Sequence, residues 1–437
     1  MQDRMQKENA GAFGLLSSDL IHYTTDSYLN KKEAVALGST CRFFATNQNL
    51  LKLKKSKHKK VFTYSGCSFI LNGHGHLYGI GVLPRYLIAD KTVLCTPITL
   101  PNQIPIREII HYTIMSSDQS NTVILATDGT VYNINNIDFS RYFPRFLNCG
   151  YQANSKLTLI SVPENKRIKQ VAAGFAHMIA LAEDGTVYGH GSNEHGHLGL
   201  NDQINRCEFN LIRVPENHPI KEVATSNRHT LMLANNGTVY GCGENNRGQL
   251  GLVCRENQLT PTLLPIPDDK PIKYIIAENE STILIAEDGS VYCCGCNHNH
   301  ESILTPQQLH VPDNKPIKQA TAFNNSLVLL ASDGTIYGCG FNSCNSLGLN
   351  PNIRPSSPQV IPIPENKCIK QVSLGLHHLL VVTEDDLIFG CGALYGQLVL
   401  SNTLTESLVP IDFELVLQEQ INNEEQQRLS KEPRLKL

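Results

Sequence analysis

A phrase that recurs seven times constrains the fold of this chain more than any other feature. One clear copy reads Asp184-Gly185-Thr186-Val187-Tyr188-Gly189. The turn glycine of the phrase, or its substitute, falls at positions 75, 129, 185, 237, 289, 334 and 386, so successive copies lie 45 to 56 residues apart. Units of this length bury their apolar faces against their neighbours, so the spacing predicts a repeat architecture.

Each unit presents the same local signals in the same order. A Pro-Glu-Asn-Lys type turn precedes one apolar run, and a second run ends at Asp-Gly, the strongest short-range signal for a β-hairpin. A third run follows, and the segment before the next proline turn adds a fourth strand. The sequence therefore predicts an all-β fold of seven four-stranded antiparallel blades over residues 61–413.

The two ends of the array suggest how a ring of blades would close. The first unit begins at Val61 without a proline turn, and Leu408 to Asp412 repeats the missing opening at the other end. We therefore expect the C-terminal strand to complete the first blade. This closure would remove the exposed sheet edges that an open array leaves.

The detailed pattern resembles the repeat of the regulator of chromosome condensation family, a seven-bladed β-propeller. Gly-x-x-His precedes Asp-Gly-x-Val-Tyr, and phrases such as Asn245-Asn246-Arg247-Gly248-Gln249-Leu250-Gly251 follow, over about four fifths of the chain. The tryptophan of the family is absent. A smaller side chain at that position implies a looser contact or compensating neighbours. The residues that replace the tryptophan are His190, Cys242, Cys294, Cys339 and Cys391.

The resemblance also implies a partner-binding face. In the family, loops at one edge of the propeller bind the small GTPase Ran and promote nucleotide exchange by remodelling it. Three units carry a histidine, His177, His229 or His378, eight residues before the turn glycine, and the other units carry Cys67, Asn121, Ser281 or Ser326 there. The alternative is therefore a polar residue that satisfies backbone groups at the start of a strand. The positions that correspond to the face are His177, Arg228, His229, Glu280, Asn325, His377 and His378.

Two intervals depart from the regular spacing. The shortest, from Gly289 to Gly334, loses the Gly-Gln-Leu-Gly turn and predicts a trimmed outer edge. The longest, from Gly129 to Gly185, carries interleaved aromatic and arginine residues instead, which are typical of an interface hot spot. The alternative is a degenerate blade whose aromatic residues are buried. The hot-spot candidates are Phe139, Arg141, Tyr142, Phe143, Arg145 and Phe146.

The N-terminal part has apolar residues at helical spacing over residues 13–50. The phrases at residues 16–21 and 33–44 resemble the F-box, which implies binding to a Skp-type ubiquitin-ligase adaptor and its cullin. A helical hairpin that caps the propeller is the alternative. Residues 1–12 and 414–437 are expected to be polar tails, and residues 51–60 a lysine-rich linker. The adaptor contacts would be Leu16, Leu20, Ile21, Leu37, Cys41 and Phe43.

The overall composition argues against several classes of function. A net charge of −3 gives the fold no electrostatic footprint for nucleic acid. The 14 scattered cysteines favour a reducing, cytosolic location, and no apolar run approaches the roughly 18 to 20 residues that span a bilayer. Cys293, Cys294 and Cys296 could suggest zinc, but strand alternation puts the first two on opposite faces. We therefore expect no metal and no other cofactor.

No set of residues suggests catalysis, so the expected function is binding. In the first hypothesis, the F-box-like segment recruits the ubiquitin-ligase adaptor while the propeller selects a target protein. In the second, the propeller activates a Ran-like GTPase, or acts as its nucleotide exchange factor. The third is a scaffold that does neither. The domain combination and the absence of tryptophan also resemble effectors that intracellular bacteria deliver into the host cytosol.

Overall fold

The described part of the chain forms seven four-stranded sheets, so the all-β prediction is confirmed. The predictions for the F-box-like segment, the hot-spot loop and the two tails lie outside the described residues. The computed structural model describes residues 60–63, 67–71, 77–81, 97–98, 100–113, 120–134, 157–174, 176–297, 301–323, 325–350, 354–375, 378–393 and 404–410.

Every sheet is an antiparallel meander in which strands consecutive in the chain are neighbours. The first sheet contains β1 (Lys60–Thr63), β2 (Cys67–Leu71), β3 (Leu77–Gly81) and β4 (Pro97–Ile98). The second contains β5 (Ile106–Thr113), β6 (Ser120–Ala126), β7 (Val131–Ile134) and β8 (Leu157–Ile160). The third contains β9 (Ile168–Ala173), β10 (His177–Ala182), β11 (Val187–Gly191) and β12 (Arg206–Ile212).

The remaining four sheets repeat this arrangement. The fourth contains β13 (Ile220–Thr225), β14 (His229–Ala234), β15 (Val239–Gly243) and β16 (Gln258–Leu263). The fifth contains β17 (Ile272–Glu278), β18 (Ser281–Ala286), β19 (Val291–Cys296) and β20 (Ser302–Leu309). The sixth contains β21 (Ile317–Phe323), β22 (Ser326–Ala331), β23 (Ile336–Gly340) and β24 (Gln359–Val360). The seventh contains β25 (Ile369–Leu374), β26 (His378–Thr383), β27 (Ile388–Ala393) and β28 (Leu404–Pro410).

The Asp-Gly hairpins form as predicted, and they also fit closely against the next unit. Gly185 has φ +88°, a conformation that residues with a Cβ rarely adopt. A Cβ at this position would lie 2.9 Å from the Cβ of Pro219 in the following proline turn. Glycine is therefore required both by the turn and by the close approach of the next sheet.

Short 3₁₀ turns precede the first strand of most sheets and confirm the predicted proline turns. In the turn before β9, Glu164 has φ 59°, and the N–H of Asn165 donates to the carbonyl of Val162 at 3.2 Å. One further 3₁₀ turn lies between β23 and β24. The 3₁₀ turns are Pro101–Gln103, Pro163–Asn165, Pro215–Asn217, Pro267–Asp269, Pro312–Asn314, Ser343–Asn345 and Pro364–Asn366.

The prediction that the C-terminal strand completes the first sheet is wrong. β28 pairs with β27 and is the outer strand of the seventh sheet, whereas β4 pairs with β3 and ends the first sheet. The segment before each proline turn belongs to the preceding sheet, so the seventh sheet needs the C-terminal strand for itself. The first and seventh sheets meet instead by packing, because β1 contacts β25 and β26.

The core lies between neighbouring sheets, at interfaces that we call junctions and name by the two sheets that meet. At the 3/4 junction, Ile179 and Val187 of the third sheet share one buried cluster with Val223, Met232 and Tyr240 of the fourth. Second strands such as β10 are buried along their whole length. Among the described residues, no helix is both long and apolar enough to cross a bilayer.

Candidate functional site

The connections between strands lie at two opposite edges of each sheet. We call the edge that carries the Asp-Gly hairpins and the proline turns the turn edge. The other edge, which we call the loop edge, carries the connection from the first to the second strand and the longer connection from the third to the fourth. The predicted partner-binding residues precede or begin the second strand, so they belong to the loop edge.

The turn edge repeats one ion pair in four sheets. The lysine after the proline turn lies 2.7 Å from the aspartate of the hairpin at Lys166–Asp184, Lys270–Asp288 and Lys315–Asp333, and 2.9 Å from it at Lys367–Asp385. The Lys270 ammonium and the Ser290 hydroxyl lower the pKa of Asp288 to about 2.

The fourth sheet exchanges both members of this pair together. His218 replaces the lysine and Asn236 the aspartate, and the His218 Nδ1 instead lies 2.9 Å from the Tyr240 hydroxyl oxygen. Since the two positions change together, the lysine–aspartate pair is a structural feature of the repeat unit.

The loop edge, in contrast, carries charges that differ from sheet to sheet. In the fourth sheet, Arg228 Nη1 lies 3.4 Å from Glu244 Oε1, and His195 Nδ1 of the third sheet lies 3.7 Å from the same oxygen. The Glu244 side chain is only 7% exposed, whereas that of Arg228 is 55% exposed. A largely buried carboxylate thus orients a guanidinium group that is open to solvent.

A second ion pair joins the fourth and fifth sheets at this edge. Arg247 Nε lies 3.6 Å from Glu280 Oε2, and each side chain is 44% exposed. Nearby, the Asn227 side-chain amide donates to Asn279 Oδ1 at 3.1 Å. Exposed ion pairs of this kind contribute about 0–1 kcal/mol to stability. We call Arg228, Glu244, Arg247 and Glu280 the charged rim.

The predicted histidines lie below this surface. His177, His229 and His378 are buried, with exposures of 1%, 0% and 0%. The His229 ring bonds at Nδ1 to the Ser226 hydroxyl, at 2.6 Å, and at Nε2 to Thr282 of the next sheet, at 3.1 Å. Burial lowers the pKa of His229 to about 3, so the ring is neutral. These contacts fit the structural alternative.

The same cross-sheet link occurs one sheet earlier. His177 Nε2 lies 3.3 Å from the Thr230 hydroxyl of the fourth sheet, and burial lowers the pKa of His177 well below its usual value. At the same register, the hydroxyl groups of Ser281 and Ser326 donate to the carbonyls of Cys296 and Phe341 within their own sheets. Asn325 is half-buried with φ 60°, a conformation that asparagine tolerates. His377 lies outside the described residues.

The cysteines that replace the family's tryptophan join neighbouring sheets. Three of these sulfurs lie near a main-chain carbonyl of the preceding sheet: Cys242 near His197 at 3.5 Å, Cys294 near Gln249 at 3.7 Å, and Cys391 near Ser346 at 3.9 Å. Burial raises the pKa of the Cys294 thiol to about 12, so the thiol is neutral. These side chains act as packing groups.

Two further observations concern the cysteines as a set. The described residues contain no group of three or more His, Cys, Asp or Glu side chains placed to hold a metal ion. Cys207 is disulfide-bonded, whereas Cys293, Cys294 and Cys296 are free.

The sequence interpretation missed two members of the charged rim. Arg247 lies in the Asn245–Gly251 phrase, which the sequence resemblance treats only as a repeat signature, and Glu244 directly precedes that phrase. They could have been found by comparing units, because the third unit carries Ser192 and His195 at these positions. A charge that appears in one unit alone is the signal that distinguishes them.

Comparison with known proteins identifies the repeat. Residues 184–233, 236–285 and 333–382 match the regulator of chromosome condensation (RCC1) repeat. A second model of the same repeat matches residues 168–196 and 220–249. The chain therefore carries RCC1 repeats, as the sequence resemblance predicted.

Two curated relatives match over part of the chain. The ultraviolet-B receptor UVR8 of Arabidopsis thaliana is 30% identical over 249 residues, which are 57% of this chain and 46% of the receptor. The human regulator of chromosome condensation is 28% identical over 145 residues, which are 32% of this chain and 33% of the regulator. In both cases the matched region spans less than half of the relative.

A solved structure extends the likeness over most of the fold. Prp20p from Saccharomyces cerevisiae, described together with its binding to Gsp1p and histones, superposes with a TM-score of 0.60 and 18% identity. The match covers 83% of this chain and 89% of that chain. At this identity the likeness shows the fold, which is that of an RCC1-like propeller.

Proposed function

We propose that this protein binds a protein partner through the loop edge of a seven-bladed propeller and carries out no chemistry of its own. The observation that carries the proposal is the contrast between the two edges. Among the described residues, the turn edge repeats one lysine–aspartate pair in four sheets, whereas the charged rim appears once, across the fourth and fifth sheets. A feature that the scaffold does not need in every unit is free to serve recognition.

The geometry of the rim suits recognition of a charged protein surface. Arg228 and Arg247 are about half exposed, and each is already oriented by a carboxylate. Arginine provides a rigid fork of donors, and side chains of this type are enriched among interface hot spots. Because the rim also contains Glu280, the matching surface should present both signs of charge.

The experiment that tests this proposal reverses the charge of the two arginines of the rim. In pull-downs from cell lysate with the full chain, Arg228→Glu combined with Arg247→Glu should reduce capture of the bound target at least tenfold. Lys270→Glu, which changes an exposed ion pair at the turn edge, is the matched control and should leave capture unchanged. Equal capture by both variants would remove the charged rim from the binding site.

A Ran-like small GTPase is the second candidate, as partner of an activator or exchange factor. It is supported by the RCC1 repeats and by the fold shared with Prp20p, whose structure was described together with Gsp1p binding. The test is nucleotide release from purified Ran-like GTPase with equimolar full-length protein. Acceleration that disappears in the double rim variant supports this candidate, and an unchanged release rate refutes it.

The F-box-like segment adds a proposal that concerns residues 13–50. We infer that it recruits a Skp-type adaptor and cullin to the target held by the propeller. This recruitment would take place in the cytosol, which for a bacterial effector is the cytosol of the host cell. Its support is the sequence resemblance alone. A chain starting at Val61 should lose adaptor and cullin in the same pull-down, and their absence from the full-length sample would overturn the inference.

A further inference from the structure

A single leucine fills the loop edge of three junctions. In the third, fourth and sixth sheets, the connection from the third to the fourth strand buries Leu198, Leu250 or Leu347, each with 0% exposure. Each leucine belongs to a core cluster that spans its own sheet and the next. In the fourth sheet, Leu250 lies directly over the third strand, since a Cβ built on Gly241 would meet Leu250 Cδ2 at 2.8 Å.

The fifth sheet lacks this leucine. Its third and fourth strands pair at Gly295 and Ile303, whereas those of the fourth sheet pair at Gly243 and Gln258. The fifth connection is therefore seven residues shorter, which is the difference between the 45-residue interval and its 52-residue neighbours. The N–H of Asn297 donates to the carbonyl of Glu301 at 2.9 Å, so the described residues on either side of the connection lie close together. The turn sequence, Asn-His-Asn-His-Glu, contains no aliphatic residue.

A cavity remains where the leucine would lie. Cys293 takes the place of the glycine found at this strand position in the third, fourth and sixth sheets, and it fills part of the space. A cavity of about 270 Å³ is left between the fifth and sixth sheets. We call it the 5/6 notch; its apolar and thiol lining includes Ile283, Cys293, Leu309, Leu327 and Cys339.

The size and chemistry of the notch suit an aliphatic group. An apolar cavity of about 150 Å³ already stays dry and accepts a small hydrocarbon. The thiols are neutral, because burial raises the pKa of Cys339 to about 12 and that of Cys293 still further. The lining also includes the carboxyl-bearing Glu278 and polar side chains such as Asn297, Gln307 and Asn325. The notch therefore combines apolar and hydrogen-bonding groups, as ligand pockets in proteins do.

The inner strands at this junction also lack a bridge that other junctions have. The Gln170 amide bonds to both the carbonyl and the N–H of Val223 in the next sheet, at 2.9 and 3.0 Å. Gln319 makes the same two bonds to Val372. At the 5/6 junction the corresponding residue is Tyr274, which is 39% exposed. A phenol carries its donor and its acceptor on one oxygen, so it does not reproduce the two parallel bonds that the amide makes through two separate atoms.

The wall of the notch matches one that is already occupied elsewhere in the chain. At the 6/7 junction, Leu379 and Cys391 belong to the cluster that holds Leu347, and Cys391 Sγ lies 3.9 Å from the Ser346 carbonyl oxygen. Leu327 and Cys339 hold the same two repeat positions in the 5/6 notch. The 6/7 junction of the same chain therefore shows that a wall of this composition can accommodate a leucine side chain.

We propose that the 5/6 notch binds a partner polypeptide that presents a leucine in a turn, in the way that residues 342–349 of this chain present Leu347 to the 6/7 junction. The inference rests on the proposed protein-binding function and supplies its apolar anchor. The partner's leucine would enter between Cys293 and Leu327, while the preceding carbonyl accepts a weak hydrogen bond from the Cys339 thiol. Ser281, which follows Glu280 in the chain, lines the notch together with Cys296 and Asn297 of the loop edge, so one partner can engage both the notch and the charged rim.

The direct test uses a synthetic peptide covering residues 342–349 with Cys344→Ser. Calorimetry with the full chain should show saturable binding at one site, and the same peptide with Leu347→Ala should bind at least tenfold more weakly. Cys293→Leu, which fills the notch, should weaken binding by a similar factor. Cys254→Leu is the matched control, because Cys254 is exposed on another sheet. Equal binding of the two peptides, or no saturable binding, would overturn the proposal.

A second variant guards against a folding defect in Cys293→Leu. Replacing residues 296–302 by residues 244–257 gives the fifth sheet the longer connection and its own leucine. This graft should abolish peptide binding and raise the urea midpoint, and changing the grafted leucine to alanine should restore binding. Peptide binding that survives the leucine-containing graft would place the site elsewhere.

The two proposals fail separately. The rim variant that combines Arg228→Glu with Arg247→Glu changes no residue that lines the notch and should bind the peptide normally. If it also retains the target, the charged rim loses its assigned role while the notch stands. If the peptide does not bind but the rim variant loses the target, the notch proposal is overturned and the proposed function stands.

Discussion

The 4/5 and 5/6 junctions are built from the same repeat, and they differ at nearly every level of packing. At the 4/5 junction, Leu250 is fully buried, Thr282 donates to the Gln249 carbonyl at 2.6 Å, and Cys294 packs on the same carbonyl. At the 5/6 junction there is no corresponding leucine, and Leu327 replaces the threonine. Cys339 is 6% exposed, whereas Cys294 at the same position of the 4/5 junction is 2% exposed.

One short deletion explains most of this difference. Because the connection between the third and fourth strands of the fifth sheet is seven residues shorter, it has neither the leucine nor the carbonyl group that the thiol of the next sheet would contact. Without the leucine, the third strand beneath it no longer requires a glycine. The strand ladders on either side are retained, because β19 and β20 still pair along their length. In a repeat protein, a unit can therefore acquire a cavity without disturbing its neighbours, since each unit packs mainly on the next.

The largest expected effect is the loss of the leucine at the filled junction. Leu250→Ala should lower the free energy of unfolding by about 2–5 kcal/mol, because it creates a cavity in a closely packed site. Leu327→Ala at the 5/6 notch should cost less, since its side chain already borders an unfilled space. Urea unfolding monitored by circular dichroism compares the two, and equal losses would contradict the difference between the junctions.

A double-mutant cycle tests whether the glycine and the leucine belong together. Gly241→Cys should cost about 1–3 kcal/mol, because its side chain would collide with Leu250. Combined with Leu250→Ala, the same substitution should be tolerated better, since the double variant imitates the fifth sheet. The expected coupling is about 1 kcal/mol in the free energy of unfolding. Strict additivity would show that Cys293 and the short connection are unrelated.

Acid should destabilise the 4/5 junction through His229. Its folded pKa is about 3, below the usual 6.5, so between these pH values the unfolded chain binds a proton that the folded state excludes. The free energy of unfolding should fall as the pH is lowered from about 6.5 towards 3, by up to about 1.4 kcal/mol per pH unit from this residue. In urea titrations, His229→Gln should reduce this slope, whereas Ser281→Ala at the 5/6 junction should leave it unchanged.

A smaller effect of opposite sign is expected from Glu222, which takes the place of the bridging glutamine at the 4/5 junction. Burial raises its pKa from 4.5 to about 7, although a hydrogen bond from the Ile275 backbone opposes the shift. As the pH rises from 4.5 to 7, the folded state retains a proton that the unfolded chain has lost. The free energy of unfolding should therefore decrease over this range, by at most about 1.4 kcal/mol per pH unit.

Reciprocal exchanges check this assignment. Glu222→Gln should remove the slope, because an amide can both donate to and accept from the Ile275 backbone without titrating. Gln319→Glu should introduce a similar slope at the 6/7 junction, where Gln319 bridges to Val372. If neither exchange alters the pH dependence between 4.5 and 7, the bridge is not the titrating element.

The local parts of the fold could be predicted because their causes are local. The Asp-Gly pairs fix hairpins, the proline turns precede first strands, and the four-strand count follows from apolar runs within one unit. The closure of the array was predicted wrongly, since the sequence does not state which sheet the segment before a proline turn joins. For the candidate site, Arg228 and Glu280 were predicted, but Glu244 and Arg247 were not.

The sequence by itself determined the repeat, its strand order and the unit that breaks the pattern. Only the tertiary structure decided which histidines are buried, which charges meet at the loop edge, and that the short fifth connection leaves a cavity. The physical reason is distance along the chain. Cys293 and Cys339, or Arg228 and Glu244, become neighbours only when sheets pack or loops fold back, and no local pattern of side chains encodes those contacts.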